Sequence, residues 1–340
     1  MSKVSKQQLY LLIIFLILFL VSAFRNGLGT DYPNYVKLFN NPSIPEADNF
    51  SFLFKAIFCY GLKFITTDSV FFFIVTSFVI NFFIIKTIYY RSSIIWVSVI
   101  LYVFLFYLST FNIIRQFLAI SLFYYFGLNY VQNNKMTLYI ILLLLLAQIH
   151  FSVYILVLFL FLKDKKRTIT FYMILWGISI IIVIFKEFQV MMIDSTLKLI
   201  AKMPLVPSGL VDYSLYNAVF INLSKTNYQL IIKNLLLVIL FLNFNKIYKK
   251  TTILYFNLFF FGIIIGNIFN IFNQLGPRLA YYGEFSLILL IPEYIDLFKT
   301  NSKKIATLLF LGLFMSYGFY RFYLNNESAA IPNEWRFNKR

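Results

Sequence analysis

The chain has 340 residues, of which 61% are hydrophobic and only 13% charged, against near a quarter charged in ordinary soluble domains. Runs such as Leu9 to Phe24 and Ile253 to Ile271 have no aqueous resting place, so a soluble globular fold is excluded. The formal charge of +17 is dispersed through short segments between apolar runs, a pattern that speaks for membrane topology and against a nucleic-acid surface.

A bilayer core needs roughly 20 apolar residues in a helix, and backbone groups in lipid must be paired within their own segment. The chain supplies such runs repeatedly, and the ten-residue alternation of a transmembrane barrel is missing. The expectation is an all-α, polytopic transmembrane bundle of about ten to twelve helices. It is read as one integral membrane domain over residues 1–340.

The first helix runs over 9–24 and starts in the cytoplasm behind Lys3 and Lys6. Phe24-Arg25 is not a small-residue cleavage site, so the run is read as a retained anchor. Residues 25–50 read as a polar loop. Segment 51–66 is apolar but carries Lys55 and Lys63, and either spans or lies at the interface. If it does not span, helix 69–88 ends with Lys86 and Arg91 inside. Helix 94–110 goes out, and 113–131 returns to a loop with Lys135.

Residues 137–162 have basic flanks at both ends, Lys135 on one side and Lys163 to Arg167 on the other. Both flanks belong in the cytoplasm, so two short helices hinged near Gln148-Ile149-His150 are preferred to one long span. Helix 169–185 leads to an extracytoplasmic loop at 186–227. Helices 228–244 and 251–271 follow, joined by the basic turn Lys246 to Lys250. Asn273 to Tyr282 reads as an outside loop, with helices at 283–298 and 305–323 closing the bundle. In this arrangement the inside segments hold half of the 30 cations but only Asp164 and Asp296 of the 13 acids. The lone Cys59 excludes an intrachain disulfide and a multi-cysteine metal site.

Ionisable residues near apolar segments are costly and need a partner, a cavity or a route to water. Four sites stand out, all expected on the extracytoplasmic side. In Phe24-Arg25-Asn26-Gly27-Leu28-Gly29-Thr30-Asp31-Tyr32, the arginine either caps the helix and pairs with Asp31 or serves a ligand. In Asn112-Ile113-Ile114-Arg115-Gln116, Arg115 either snorkels or offers a planar fork to phosphate. His150, the only histidine, is either a structural hydrogen-bonding residue or a base suited to neutral pH. Gly276-Pro277-Arg278-Leu279-Ala280-Tyr281-Tyr282-Gly283-Glu284 places an arginine and two tyrosines at a helix start. With 25 Tyr and 43 Phe in the chain, aromatic residues alone specify nothing. Three arginines, a histidine and a carboxylate facing one cavity would suit a diphosphate leaving group. No metal-ligand cluster and no nucleotide-binding glycine loop is visible in the sequence.

These motifs, in this order, resemble the EpsG-like branch of the Wzy polysaccharide polymerases. The matching pieces are Phe24 to Tyr35, Asn112 to Ala119, Ala147 to Ser152 and Gly276 to Tyr282. The resemblance implies a GT-C-like glycosyltransferase of the cytoplasmic membrane with its active site facing outward. Such enzymes join oligosaccharide repeat units carried on undecaprenyl diphosphate, with no cofactor and no metal. By that analogy Arg25, Arg115, Gln116, Arg278, Tyr281 and Tyr282 would bind diphosphate or glycan, and His150 or Asp31 would be the base. The implied partners are the lipid-linked glycan, membrane lipids and a chain-length regulator, with no nucleic acid. Two other readings stay open at this point, a flippase for lipid-linked glycan and a membrane polysaccharide O-acyltransferase.

Overall fold

The computed structural model describes residues 6–43, 51–185, 228–270, 275–298 and 300–324, with isolated positions between 187 and 195. The expected loop 186–227 lies almost wholly outside them. Every regular element among the described residues is helical. Four helices are long and apolar enough to cross a bilayer: Lys6–Ala23, Ser69–Arg91, Lys250–Ile268 and Thr300–Phe322. Shorter apolar helices accompany them, including Ile95–Leu105, Met136–Ala147 and Ile169–Ile184. The protein is a multi-pass membrane protein built as an all-helical bundle.

The chain divides into two compact units. The first comprises Met1–Ile44, Phe50–Val153 and Leu287–Arg340. In it Lys6–Ala23 packs along Ser69–Arg91 through edge-on and stacked rings of Phe15, Phe19, Phe78 and Phe82. Asn81 crosses this seam, donating to Ser22 Oγ at 3.1 Å and accepting from Tyr102 OH at 3.0 Å. Such buried amides hold helices together where lipid supplies no hydrophobic drive between them. Ile95–Leu105 packs on Leu287–Asp296 and Thr300–Gly318, and Gly318 lies so close that a Cβ there would meet Phe104 O at 2.2 Å.

The second unit comprises Pro45–Asn49 and Tyr154–Ser286. Its axis is Lys250–Ile268, buried along most of its length, with Leu275–Glu284, Ile169–Ile184 and Tyr228–Leu242 against it. A polar chain runs through its centre. Trp176 Nε1 donates to Asn234 Oδ1 at 2.7 Å, Asn234 Nδ2 to Asn267 Oδ1 at 3.0 Å, and Asn267 Nδ2 to Ser179 Oγ at 2.8 Å. Asn257 Nδ2 donates to the carbonyls of Lys163 and Lys165 at 2.7 and 3.0 Å, tying down the basic turn that Lys163 enters with a positive φ of 45°.

Several sequence expectations change in detail. Residues 25–50 contain the helix Tyr32–Asn40, started by Pro33 in its first turn, where a missing N–H does no harm. Segment 51–66 folds as the short helix Phe52–Gly61, about 15 Å long and half what a hydrocarbon core requires. Residues 137–162 break where expected: Met136–Ala147 ends, Gln148 to His150 turn, and Phe151–Tyr154 resumes as a single 3-10 turn. The expected outside loop at 273–282 is corrected, because Leu275–Glu284 is helical. A turn at Phe285-Ser286 separates that helix from Leu287–Asp296.

Candidate functional site

Three of the four motifs come together in the first unit. The turn after Lys6–Ala23 is made by Gly27 and Gly29, whose φ values of 73° and 107° lie where only glycine is at ease. It lets the chain fold back against Phe111 and Asn112. The Asp31 backbone N–H donates to Asn112 Oδ1 at 3.0 Å, and a Cβ on Gly29 would meet Phe111 O at 3.0 Å. Motifs 81 residues apart in sequence are therefore one piece of structure.

Arg25 sits inside that piece, only 4% exposed. Its Nη1 donates to Ser22 O at 2.9 Å, while Nε and Nη2 are buried with no hydrogen-bond partner. The guanidinium carbon lies 4.9 Å from the ring centroids of both Phe73 and Phe111, and Tyr32 stacks on Phe73 at 4.4 Å. Desolvation pulls the arginine pKa down from its ordinary value to about 10, opposed by the fields of Tyr35, Tyr107 and Tyr32. The group stays charged at neutral pH, yet no carboxylate pairs with it among the described residues. Of the two sequence readings, the capping one is met in part: the bond to Ser22 O caps the helix, but no bond to Asp31 accompanies it. A buried cation with two unmet donors is an expensive arrangement that an anion would relieve.

Arg115 is the second residue of the helix Ile114–Leu122, followed directly by the fully buried Gln116. Its guanidinium lies 5.7 Å from the Phe54 ring centroid. Phe54 in turn donates its backbone N–H to Gln148 O at 3.2 Å, two residues before His150. Phe54 also meets Phe72 edge-on at 6.0 Å, and Phe72 meets Phe73 beneath Arg25 at 5.2 Å. Aromatic rings thus connect the surroundings of Arg25, Arg115 and the 148–150 turn. His150 is half-buried, its ring stacked on Phe151 at 5.5 Å and its Nδ1 at 2.6 Å from Ser152 Oγ.

The fourth motif belongs to the second unit, where Leu275–Glu284 carries two faces. Gly276, Ala280 and Gly283 form a small-residue stripe against Lys250–Ile268. A Cβ on Gly283 would lie 2.3 Å from Leu258 O, and one on Gly262 would lie 2.7 Å from the Glu284 N. Small residues are what allow helix backbones to approach this closely. Arg278, Tyr281 and Tyr282, at i, i+3 and i+4, share the opposite face. At the end of the helix the buried Glu284 accepts from Lys233 Nζ at 2.7 Å on both carboxylate oxygens.

Against this geometry, the family comparison is decisive. The EpsG family model matches residues 8–335, nearly the whole chain. The chain belongs to the EpsG family. No curated protein and no solved structure matches it. EpsG membership gives the coarse class of a polysaccharide polymerase of exopolysaccharide synthesis, acting as a glycosyltransferase-type enzyme. The sequence did not single out Phe73, Phe111 and Tyr32 around Arg25, nor Phe54, Ser152 and the Lys233–Glu284 pair. Only Tyr32, Ser152 and Glu284 carried a signal, being inside the motifs already marked.

Proposed function

We propose that this EpsG-family protein joins polyprenyl-diphosphate-linked oligosaccharide repeat units into a polymer at the outer face of the cytoplasmic membrane. The hydroxyl at the non-reducing end of one unit attacks the anomeric carbon of another glycan, and undecaprenyl diphosphate departs. The observation that carries this reading is Arg25: a charged guanidinium, buried among aromatic faces, with two N–H donors unmet. A diphosphate supplies the oxygens and the charge that this group lacks. Preorganised donors of this kind act where charge develops as the leaving group parts.

Arg115, beside Gln116 in the same unit, is read as a second contact to diphosphate or glycan. His150 or Asp31 is read as the base that takes the proton of the attacking hydroxyl. Arg278, with the buried Tyr281 and Tyr282 on the same helix face of the second unit, is read with them as a further contact to the glycan. A chain-length regulator is a partner expected by the family analogy.

The test compares surface glycan and lipid-linked intermediates in a deletion strain and its complement. Single repeat units in the deletion, with a ladder restored by the gene, support the reading. A ladder that persists without the gene overturns it. Units accumulating on the cytoplasmic face would make the protein a flippase, and loss of acetyl groups from an intact ladder would make it an acyltransferase.

A further inference from the structure

His150 is the only histidine in the chain, and Ser152 meets it twice at one nitrogen. The Ser152 backbone N–H donates to Nδ1 at 3.3 Å, and the Ser152 hydroxyl lies 2.6 Å from the same atom. A backbone N–H can only donate, so this contact favours a lone pair at Nδ1. A hydrogen on Nδ1 would point at the amide hydrogen. In a neutral imidazole the single hydrogen then sits on Nε2, and the Ser152 hydroxyl, turned to donate, shares the one Nδ1 lone pair with the amide. The backbone around the ring is fixed too. His150 donates its N–H to Leu146 O at 2.9 Å, and its carbonyl accepts from Val153 at 3.2 Å. Phe151, stacked within 11° of the imidazole plane, sets the ring's tilt.

We infer that Ser152 is a positioning residue that holds His150 as its Nε2–H tautomer, making His150 a hydrogen-bond donor to the departing diphosphate rather than the base. The chemistry rests on the polymerase reading; the tautomer rests on geometry alone. In the transfer, the acceptor hydroxyl oxygen bonds to the anomeric carbon as the bond from that carbon to the phosphate oxygen breaks. The electron pair leaves with the diphosphate, where Nε2–H meets the developing charge. The hydroxyl proton goes to a carboxylate, and Asp31, whose backbone is pinned to Asn112 in the same unit, takes that role.

A lone histidine makes the test unambiguous. The full-length protein is labelled with 15N-histidine, purified through a histidine-free affinity tag and studied in lipid nanodiscs. The wild type should show a pyrrole-type Nε2 and a pyridine-type Nδ1. Ser152→Ala should yield a tautomer mixture, and Ser152→Thr should restore the single form. If the alanine variant fails to fold, the wild-type and threonine spectra still decide. In a polymerisation assay on lipid-linked repeat units, His150→Gln, whose amide nitrogen can donate from near the Nε2 position, should retain about tenfold or more the activity of His150→Ala. A hydrogen on Nδ1 in the wild type, or a glutamine variant no better than alanine, overturns the inference. The Nε2–H tautomer in a protein that leaves repeat units unjoined would overturn the polymerase reading and leave the Ser152–His150 assignment standing.

Discussion

The Asp31 backbone N–H donates to the Asn112 side-chain oxygen at 3.0 Å, and this one bond joins the loop after the first helix to the turn that opens the Arg115 helix. It sits between two residues assigned to the site, with Arg25 on one strand of the contact and Arg115 on the other. Replacing Asn112 by alanine removes the acceptor and should cost about 1 kcal/mol of stability. The loss in polymer should be larger than that stability change explains, because the loop carrying Arg25 and Asp31 loses its register. Thermal melting in detergent, set beside polymer length on a gel, measures both. Full-length polymer from a stable Asn112→Ala variant would show that the bond holds nothing functional.

The two glycines of that loop should respond differently to alanine. Gly27 has a positive φ but nothing within 4 Å of an added Cβ, so Gly27→Ala carries backbone strain alone, about 1–2 kcal/mol. Gly29 adds a Cβ contact of 3.0 Å to Phe111 O and 3.2 Å to Asn112 Oδ1, and both lie on the seam just described. Gly29→Ala should therefore be the more destabilising and should abolish polymerisation, whereas Gly27→Ala should keep a shortened ladder. Equal effects from the two substitutions would mean that the close approach at Gly29 is unimportant.

Arg25 predicts opposite signs for stability and activity. Burial lowers its pKa from the ordinary arginine value to about 10, so holding the charge at neutral pH costs the fold on the order of a few kcal/mol. For a base with a lowered folded pKa the sign is fixed: this cost is fully present below about pH 10 and fades as pH rises above it towards the ordinary arginine value. Arg25→Met keeps the apolar contacts with Phe73 and Phe111 and removes the charge, so it should melt at a higher temperature than the wild type. It should also lose polymerisation entirely. Arg25→Lys should fall at least about tenfold, because an ammonium lacks the planar fork. Added pyrophosphate should raise the melting temperature of the wild type and leave that of Arg25→Met unchanged. A methionine variant that melts lower and still polymerises would overturn the assignment of Arg25 as an anion site.

Much of the bundle is legible in the sequence because hydropathy over about 20 residues is a strong signal. The break at Gln148 to His150 is legible for a different reason, the basic residues at both ends of the run. Shorter elements escape both criteria. Tyr32–Asn40 is a nine-residue helix, too short for a 20-residue hydropathy signal and opened by a proline that reads as loop, and Gly276-Pro277 reads as a turn although proline is harmless in a helix's first turn. Of the site, Arg25, Asp31, Arg115 and His150 stand out as rare polar residues in apolar surroundings. Their neighbours do not. Phe73 and Phe111 are two of 43 phenylalanines, and only the fold shows that their faces flank a guanidinium. Lys233 reads as one more lysine near a helix start, because pairing across 51 residues leaves no local pattern.

That pair makes the last prediction, in the second unit. Lys233 Nζ lies 2.7 Å from both oxygens of the buried Glu284 carboxylate, which ends the helix carrying Arg278, Tyr281 and Tyr282. Lys233→Met leaves the carboxylate buried without that cation, and breaking such a pair costs about 3–5 kcal/mol. The double variant Lys233→Met/Glu284→Gln removes both charges and should recover most of the loss, since a buried pair is worth little against neutral groups of similar shape. Polymerisation should follow stability through the series, lost in the single variant and largely regained in the double. That outcome assigns the pair to holding the Arg278 helix in place. A double variant that folds as well as the wild type yet leaves repeat units unjoined would instead put Lys233 or Glu284 in contact with the glycan.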